Sequence, residues 1–265
     1  MSQLNGSLEA VKVQYENKVC TITMARPEKN NGLDLQMRKE LWAIFAALKE
    51  DNETQVVVLT GQGTHFSYGT FDPASRGATD KDTIVRMVLE GNMLIDDLEN
   101  LPQITIAAVN GPARGSGVEI SLACDIRYAA ASASFQQHEA DMGGFPGGGA
   151  PLRLPMIVGY ARTIEMLCTA RAVPAGEAKD YGLVLDVFPD EGFLDEVVQR
   201  AQYMATKGPI GLRGTKRVAK VRQAPGKADA RLLSNKLRRE LEFSRDVAEA
   251  IDAHKEGRSP VFLGY

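Results

Sequence analysis

The sequence predicts an α/β domain with mostly parallel strand pairing, followed by a helical C-terminal region. Three observations carry that prediction. The runs "TQVVVLTG" and "ITIAAVNG" are continuously apolar at strand length, as strands covered on both faces are. Up to about residue 123 the elements alternate in the order β, β, α, β, α, β, α, which implies parallel strands joined by helical crossovers. Beyond about residue 150 the apolar spacing becomes almost wholly helical. A soft boundary therefore falls near residue 205, giving a core of residues 1–205 and a helical region of residues 206–265.

The elements follow in order. "AVKVQYE" and "VCTITMA" alternate in polarity around "NK" and read as a β-hairpin. "RPEKNNG" is a loop, with Pro27 and Gly32 stopping any regular element. Leu33, Met37, Leu41, Ile44, Phe45 and Leu48 stand at helical spacing. The strand ending at Gly61 leads into the polar loop "QGTHFSYGTFDPASRGATDKD", and a helix is expected from about Thr83 to Glu99. "ITIAAVNG" leads into "GPARGSGVEISLACD", where a helix opens near Gly115–Gly117; "DIRYAA" and "ASFQQ" are short strands. "GAPLRLPMIVG", "ARTIEMLCTA", "PAGEAKDYG", "FLDEVVQRAQYMATKG" and a long stretch from Ile210 to His254 read as helices, with "LVLDVFP" as one interrupting strand.

Composition narrows the function classes. A chain of 265 residues with 44% apolar and 25% charged residues can build a sizeable core without disulfides. Cys20, Cys124 and Cys168 lack metal-ligand spacing and read as buried reduced thiols, while His65, His138 and His254 are too scattered for a zinc site. No window approaches the ~18 apolar residues of a membrane span, and "MSQLNGSLEAVKVQYENK" lacks a signal-peptide pattern, so a cytoplasmic protein without membrane partners is expected. Net charge is −3, yet Lys207 to Arg239 holds eleven cations against one acid, Asp229. Such a stretch is either a solvated helical face or a surface for a polyanion, such as a phosphate-bearing ligand or RNA. Aromatic stacking platforms are scarce around it, with only Phe193 and Tyr203 between residues 190 and 239, so no nucleic-acid partner is expected.

Two carboxylates stand out. Glu119 lies inside the apolar segment Val118, Ile120, Leu122, Ala123, and Glu139 follows twenty residues later in "FQQHEADMGGFPGGG". Both adjoin glycine-rich turns, which let backbone N–H groups approach a ligand closely. If Gly115–Gly117 opens a helix, Ser116 N–H has no intrahelical acceptor and can serve an oxyanion. Two carboxylates sharing a site would hold their pKa values apart and could supply a base and an acid together. The alternative roles are a helix-dipole acid for Glu119 and a surface loop acid for Glu139. "GPARGSG" fits neither the phosphate loop nor the dinucleotide fingerprint, and the serines lack a nucleophile elbow.

"ARPEKNNGL", "VVVLTGQGTHFSYGTFD", "ITIAAVNGPARGSGVEISLACDIRYAAASASF", "GGFPGGGAPLRLPMIVG", "YGLVLDVFP" and "EAIDAHKEGRSPVF" occur in the order seen in the crotonase (enoyl-CoA hydratase/isomerase) superfamily, which the chain resembles over essentially its whole length. The resemblance implies a spiral of ββα units with a helical C-terminal region for trimerisation and CoA contacts, assembled as homotrimers or homohexamers. It implies an acyl-CoA thioester substrate, with coenzyme A as part of that substrate and neither a separate cofactor nor a metal. By the same resemblance, Glu119 and Glu139 are the catalytic acids of an enoyl-CoA hydratase, a hydro-lyase adding water in syn fashion across the α,β double bond. Thr70 and Ser116 supply the oxyanion hole, departing from the family's more frequent alanine and glycine. Phe71 stands where many members carry Asp, and Tyr68, Gly69, Phe71, Gly115, Gly117, Phe145 and Pro146 are expected to bind substrate. An isomerase or hydratase-lyase of the same superfamily is the alternative; dienoyl-CoA isomerases carry an Asp eight residues after the second acid, where this chain has Gly147.

Overall fold

The computed structural model describes residues 8–69, 79–223, 231–232, 235–236, 239–240 and 242–261, with side chains 221–223 excepted. Strands β1 (Val11–Glu16) and β2 (Val19–Met24) form the expected antiparallel hairpin. Its turn places Asn17 and Lys18 at φ 50° and 65°, the positive values a two-residue hairpin turn requires. Helix α1 (Leu35–Glu50) is capped by Asp34, whose carboxylate accepts from Met37 N–H at 3.0 Å. Strand β3 (Val56–Gly61) then pairs parallel with β2, β5 (Ile104–Val109) with β3, β7 (Ile126–Ala130) with β5, and β10 (Asp186–Phe188) with β7.

Alternation along these strands divides the core. Val57, Leu59, Ala107, Val109 and Ala129 face one cluster with Ile44, Phe45 and Leu98, whereas Val56, Val58, Ile106, Ala108 and Ala130 face Phe193, Val197 and Ala201. Both faces are covered, which explains why β3, β5 and β7 are apolar at most positions.

A second, four-stranded sheet is absent from the sequence-based expectation. Strands β4 (Ser67–Tyr68), β6 (Ala113–Arg114) and β8 (Ser134–Gln136) pair in parallel, and β9 (Val173–Pro174) closes the edge antiparallel to β8. The two loops expected after β3 and β5 thus each contain a two-residue strand, too short to show alternation. After the hairpin, whose two strands both lie in the large sheet, the next turns of the chain place one strand in the large sheet, one in the small sheet and then a helix. β3 and β4 are followed by α2 (Lys81–Glu99), and β5 and β6 by α3 (Ser116–Ala123). This repeated ββα path is the spiral that the family resemblance implied.

The C-terminal half is helical as expected: α4 (Ala150–Val158), α5 (Tyr160–Thr169), α6 (Ala175–Asp180), α7 (Phe193–Ala205), α8 (Pro209–Gln223) and α9 (Arg245–Glu256). Helix α8 is docked by polar clamps. Lys216 Nζ lies 2.6 Å from Asp125 and donates to the Gln103 carbonyl at 2.7 Å, while Arg213 donates to Asn52 Oδ1 at 3.0 Å. Arg231 pairs with Asp96 at 2.8 Å and Arg239 with Asp82 at 2.6 Å. Lys216, Arg213 and Arg231 are held by partners within the chain rather than lying on a solvated face or a polyanion surface, whereas Arg239 and its partner Asp82 are both exposed; Lys227 and Arg238 lie outside the described residues.

The thiol expectation needs one correction. Cys20 and Cys124 are buried, and burial pushes both up to about 12, but Cys168 is exposed because it lies on the solvent side of α5. Among the described residues no helix is long and apolar enough to cross a membrane, and no group of three or more side chains could hold a metal ion.

Candidate active site

The small sheet positions the site. Three parallel strands, β4, β6 and β8, end side by side, and the chain leaves them at Gly69, Gly115 and Gln137. Their ladder continues one residue beyond the strands: Gly69 N–H donates to Arg114 O at 2.8 Å, and Gly115 N–H to Gln136 O at 2.9 Å. Ligand sites of parallel α/β folds form at such carboxyl ends. A cavity of about 160 Å³ opens there, and its walls include Gly69, Gly115, Ser116, Glu119, His138, Glu139, Phe145 and Gly148. Its remaining wall is mostly apolar, with Leu33 ahead of α1 and Ile84, Val88, Leu94 and Ile95 on α2.

The two acids separated by twenty residues therefore line one cavity. Glu119 reaches it from α3, whose N-cap Gly115 has φ 52° and ψ −123°. That left-handed backbone admits glycine readily, and a Cβ there would stand 3.1 Å from the His138 ring and 3.3 Å from Glu139 Oε1. Ser116 is the first residue of α3, so its N–H has no carbonyl within the helix to donate to. Gly69 packs onto that nitrogen: a Cβ at Gly69 would sit 2.8 Å from Ser116 N.

Glu119 is only 2% exposed, and burial holds its pKa above the ordinary carboxylate value. The Ala150 N–H, donating to Oε1 at 3.2 Å, opposes that shift, as do the charges of Arg153 and Arg231 and the Gly148 N–H. The leading cause is thus desolvation rather than the mutual repulsion considered from the sequence. Gly148 makes room for the carboxylate, since a Cβ there would lie 2.0 Å from Glu119 Oε2. Arg153 fixes this seat: it donates to Gly148 O at 3.3 Å and pairs with Asp96 at 2.7 Å and Glu99 at 2.6 Å. Glu139 begins a short 3-10 helix, Glu139–Met142, and is half-buried rather than a surface acid. His138 beside it is buried, and desolvation together with Arg114 lowers its pKa to about 4, so its ring is neutral at pH 7.

Among the expected substrate-binding residues, Gly69, Gly115 and Phe145 line the cavity, whereas Tyr68, Gly117 and Pro146 are not part of its lining. Tyr68 packs edge-on to His65 and under Arg114, and Gly117 lies against Ser67, where a Cβ would come within 1.9 Å of the carbonyl oxygen. Thr70 and Phe71 lie outside the described residues. Sequence reasoning missed the seat at Gly148, the neutral His138 and the wall residues Arg38 and Asn92. The second run of glycines in "GGFPGGG" was the available signal for the first of these.

Two carboxylates and a helix N-terminus at one cavity suit an enzyme that stabilises developing negative charge beside a proton donor or acceptor. The enoyl-CoA hydratase/isomerase family model matches residues 14–264. The chain is 32% identical to (E)-benzylidenesuccinyl-CoA hydratase of Thauera aromatica, over 96% of this chain and 99% of that one. It is also 32% identical to the peroxisomal Delta(3,5)-Delta(2,4)-dienoyl-CoA isomerase of Arabidopsis thaliana, over 80% and 81%. The crystal structure of an enoyl-CoA hydratase from Bacillus anthracis superposes with a TM-score of 0.79 at 34% identity, covering 97% of this chain and all of that one. The chain belongs to the enoyl-CoA hydratase/isomerase family, enzymes acting on acyl-CoA thioesters.

Proposed function

We propose that the protein is an enoyl-CoA hydratase, a hydro-lyase adding water in syn fashion across the α,β double bond of an acyl-CoA thioester. The observation that carries this reading is that Glu119 and Glu139 line the same cavity as Ser116. Water attacks the β-carbon as one carboxylate takes its proton, and the electron pair of the double bond moves toward the thioester to give an enolate. The enolate oxygen is held by the Ser116 N–H and a second N–H from Thr70, each worth roughly 3 kcal/mol of barrier by analogy with acyl-transfer sites. A proton delivered to the α-carbon by a carboxyl group completes the addition. Coenzyme A enters as part of the substrate, and two carboxylates with two N–H groups complete the addition without a metal or separate cofactor.

The isomerase reading uses the same enolate but returns the proton to another carbon, and the relatives' names include both reactions. Two acids at one cavity favour hydration, because water must be deprotonated while carbon is protonated. We further assign residues 206–265 to assembly and CoA contacts, the assembly to homotrimers or homohexamers, and the place of action to the cytoplasm. The deciding experiment follows loss of the conjugated-thioester absorbance and product mass with crotonyl-CoA and bulkier enoyl-CoA esters. Water addition is expected in the wild type, with Glu119→Gln and Glu139→Gln each slower by about 100- to 10,000-fold. A product of unchanged mass would replace hydratase by isomerase, and full activity in both variants would remove the two-carboxylate mechanism.

A further inference from the structure

The wall between α1 and α2 contains two polar side chains for which water addition has no use. Arg38 on α1 is 4% exposed and Asn92 on α2 is 5% exposed, and both line the cavity. One guanidinium nitrogen of Arg38, Nη1, donates to the Met87 carbonyl at 2.8 Å. Its Nε, and the Nδ2 of Asn92, are buried without a hydrogen-bond partner among the described residues. A Cβ on Gly91 would stand 3.7 Å from Arg38 Nη1, so the guanidinium lies along the face of α2 that borders the cavity.

The charge of Arg38 is as poorly answered as its N–H group. The acids whose fields reach it are Glu90 and Asp34. Asp34 already pairs with Arg26 at 2.9 Å and Lys29 at 3.4 Å, and Arg38 forms no ion pair among the described residues. A guanidinium stays protonated in proteins, so burial leaves a cation with no ion-pair partner among the described residues in a mostly apolar wall. Buried donors left unpaired are the strongest means a pocket has of rejecting a ligand that lacks the matching acceptor. A terminal methyl would leave both donors unanswered. A carboxylate carries two acceptor oxygens and the complementary charge.

We propose that the acyl pocket is built for a CoA thioester whose acyl group carries a second carboxylate, held by Arg38 and Asn92. This rests on reading the cavity as the acyl site. It is tested with inert saturated esters, so that binding is separated from chemistry. Succinyl-, glutaryl- and adipyl-CoA are compared by calorimetry with butyryl-, valeryl- and hexanoyl-CoA, the unbranched esters of equal carbon number. At least one diacid ester should bind the wild type about tenfold or more tighter than its neutral partner. That ratio should fall toward one in Arg38→Met and in Asn92→Leu, and recover in part in Arg38→Lys.

Neutral esters binding as tightly as diacid esters at every length would overturn the inference, as would a diacid preference that survives Arg38→Met. If Arg38→Met does not fold, the wild-type ratio and Asn92→Leu decide. A loss of thermal stability in Arg38→Met with the ratio unchanged would assign Arg38 to holding Met87 alone. Hydration of crotonyl-CoA without any diacid preference removes this inference and leaves the hydratase reading. A diacid preference without hydration of any enoyl ester does the reverse, and failure of all six esters to bind removes both.

Discussion

Glu119 is tolerated in an apolar helix because one neighbouring position has no side chain. A Cβ at Gly148 would meet Glu119 Oε2 at 2.0 Å, so Gly148→Ala must push the carboxylate aside. Displacements of this size cost about 100-fold in rate, which steady-state hydration kinetics with a circular-dichroism check of folding would measure. The two buried titrating groups shift with opposite sign. His138 has a folded value of about 4 against an ordinary 6.5, so the unfolded chain binds its proton more tightly. Its contribution to stability is whole above pH 6.5 and is lost as pH falls toward 4, by at most about 1.4 kcal/mol per pH unit. Glu119 holds its proton more tightly when folded, so its contribution declines as pH rises above the ordinary carboxylate value. Urea midpoints measured from pH 7 to 4 should fall less steeply in His138→Gln than in the wild type. In the pH profile of kcat/KM, an ionisation above the usual carboxylate range should vanish in Glu119→Gln.

At the scale of elements, two polar networks set helix positions that apolar packing leaves open. Arg153 on α4 joins Asp96 and Glu99 of α2 to the Gly148 carbonyl, so the helix that walls the cavity and the loop that seats Glu119 move together. Lys216 does the equivalent for α8, where a buried ammonium meets Asp125 and the Gln103 carbonyl. Asp125 also accepts from the Thr105 backbone N–H at 2.8 Å and hydroxyl at 3.0 Å, so it is partly answered without the lysine. Lys216→Met should therefore lower unfolding free energy by about 3 kcal/mol, the lower end for breaking a buried pair, read from the urea midpoint. An unchanged midpoint would show that α8 does not depend on this clamp.

At the scale of the whole molecule, the exposed apolar side chains collect on the helical half. Ile210, Val218, Tyr203 and Met156 are 88, 72, 69 and 59% exposed, and they belong to α8, α7 and α4. Leu212, Ala219, Met204 and Pro151 line a groove of about 1020 Å³ between these helices and the core. Exposed apolar area of this kind marks association surfaces. Light scattering on the eluting protein should give three or six times the chain mass of 28.8 kDa, and Val218→Asp or Ile210→Asp should shift the population toward smaller species. A wild type that elutes as a monomer would remove the oligomeric assignment.

What the sequence determined by itself is local. Alternation located the hairpin strands, short apolar runs the buried strands, and helical spacing most helices, because each of these patterns is a property of consecutive residues. The glycine turns beside Glu119, Glu139 and Ser116 left a shared site as one alternative, which the family resemblance favoured; in the structure all three line one cavity. What only the tertiary structure decided depends on contacts between distant segments. The small sheet is built from strands of two or three residues, which carry no periodic signal, yet it brings Gly69, Gly115 and Glu139 to one edge. Arg38 is not among the apolar positions that mark α1 in the sequence, and only the packing of α1 on α2 buries it against Met87, forty-nine residues away. Gly148 reads as one glycine in a turn, and its role exists because Glu119 arrives from α3. Burial, more than proximity to another acid, raises the Glu119 pKa, and burial is a property of the assembled chain.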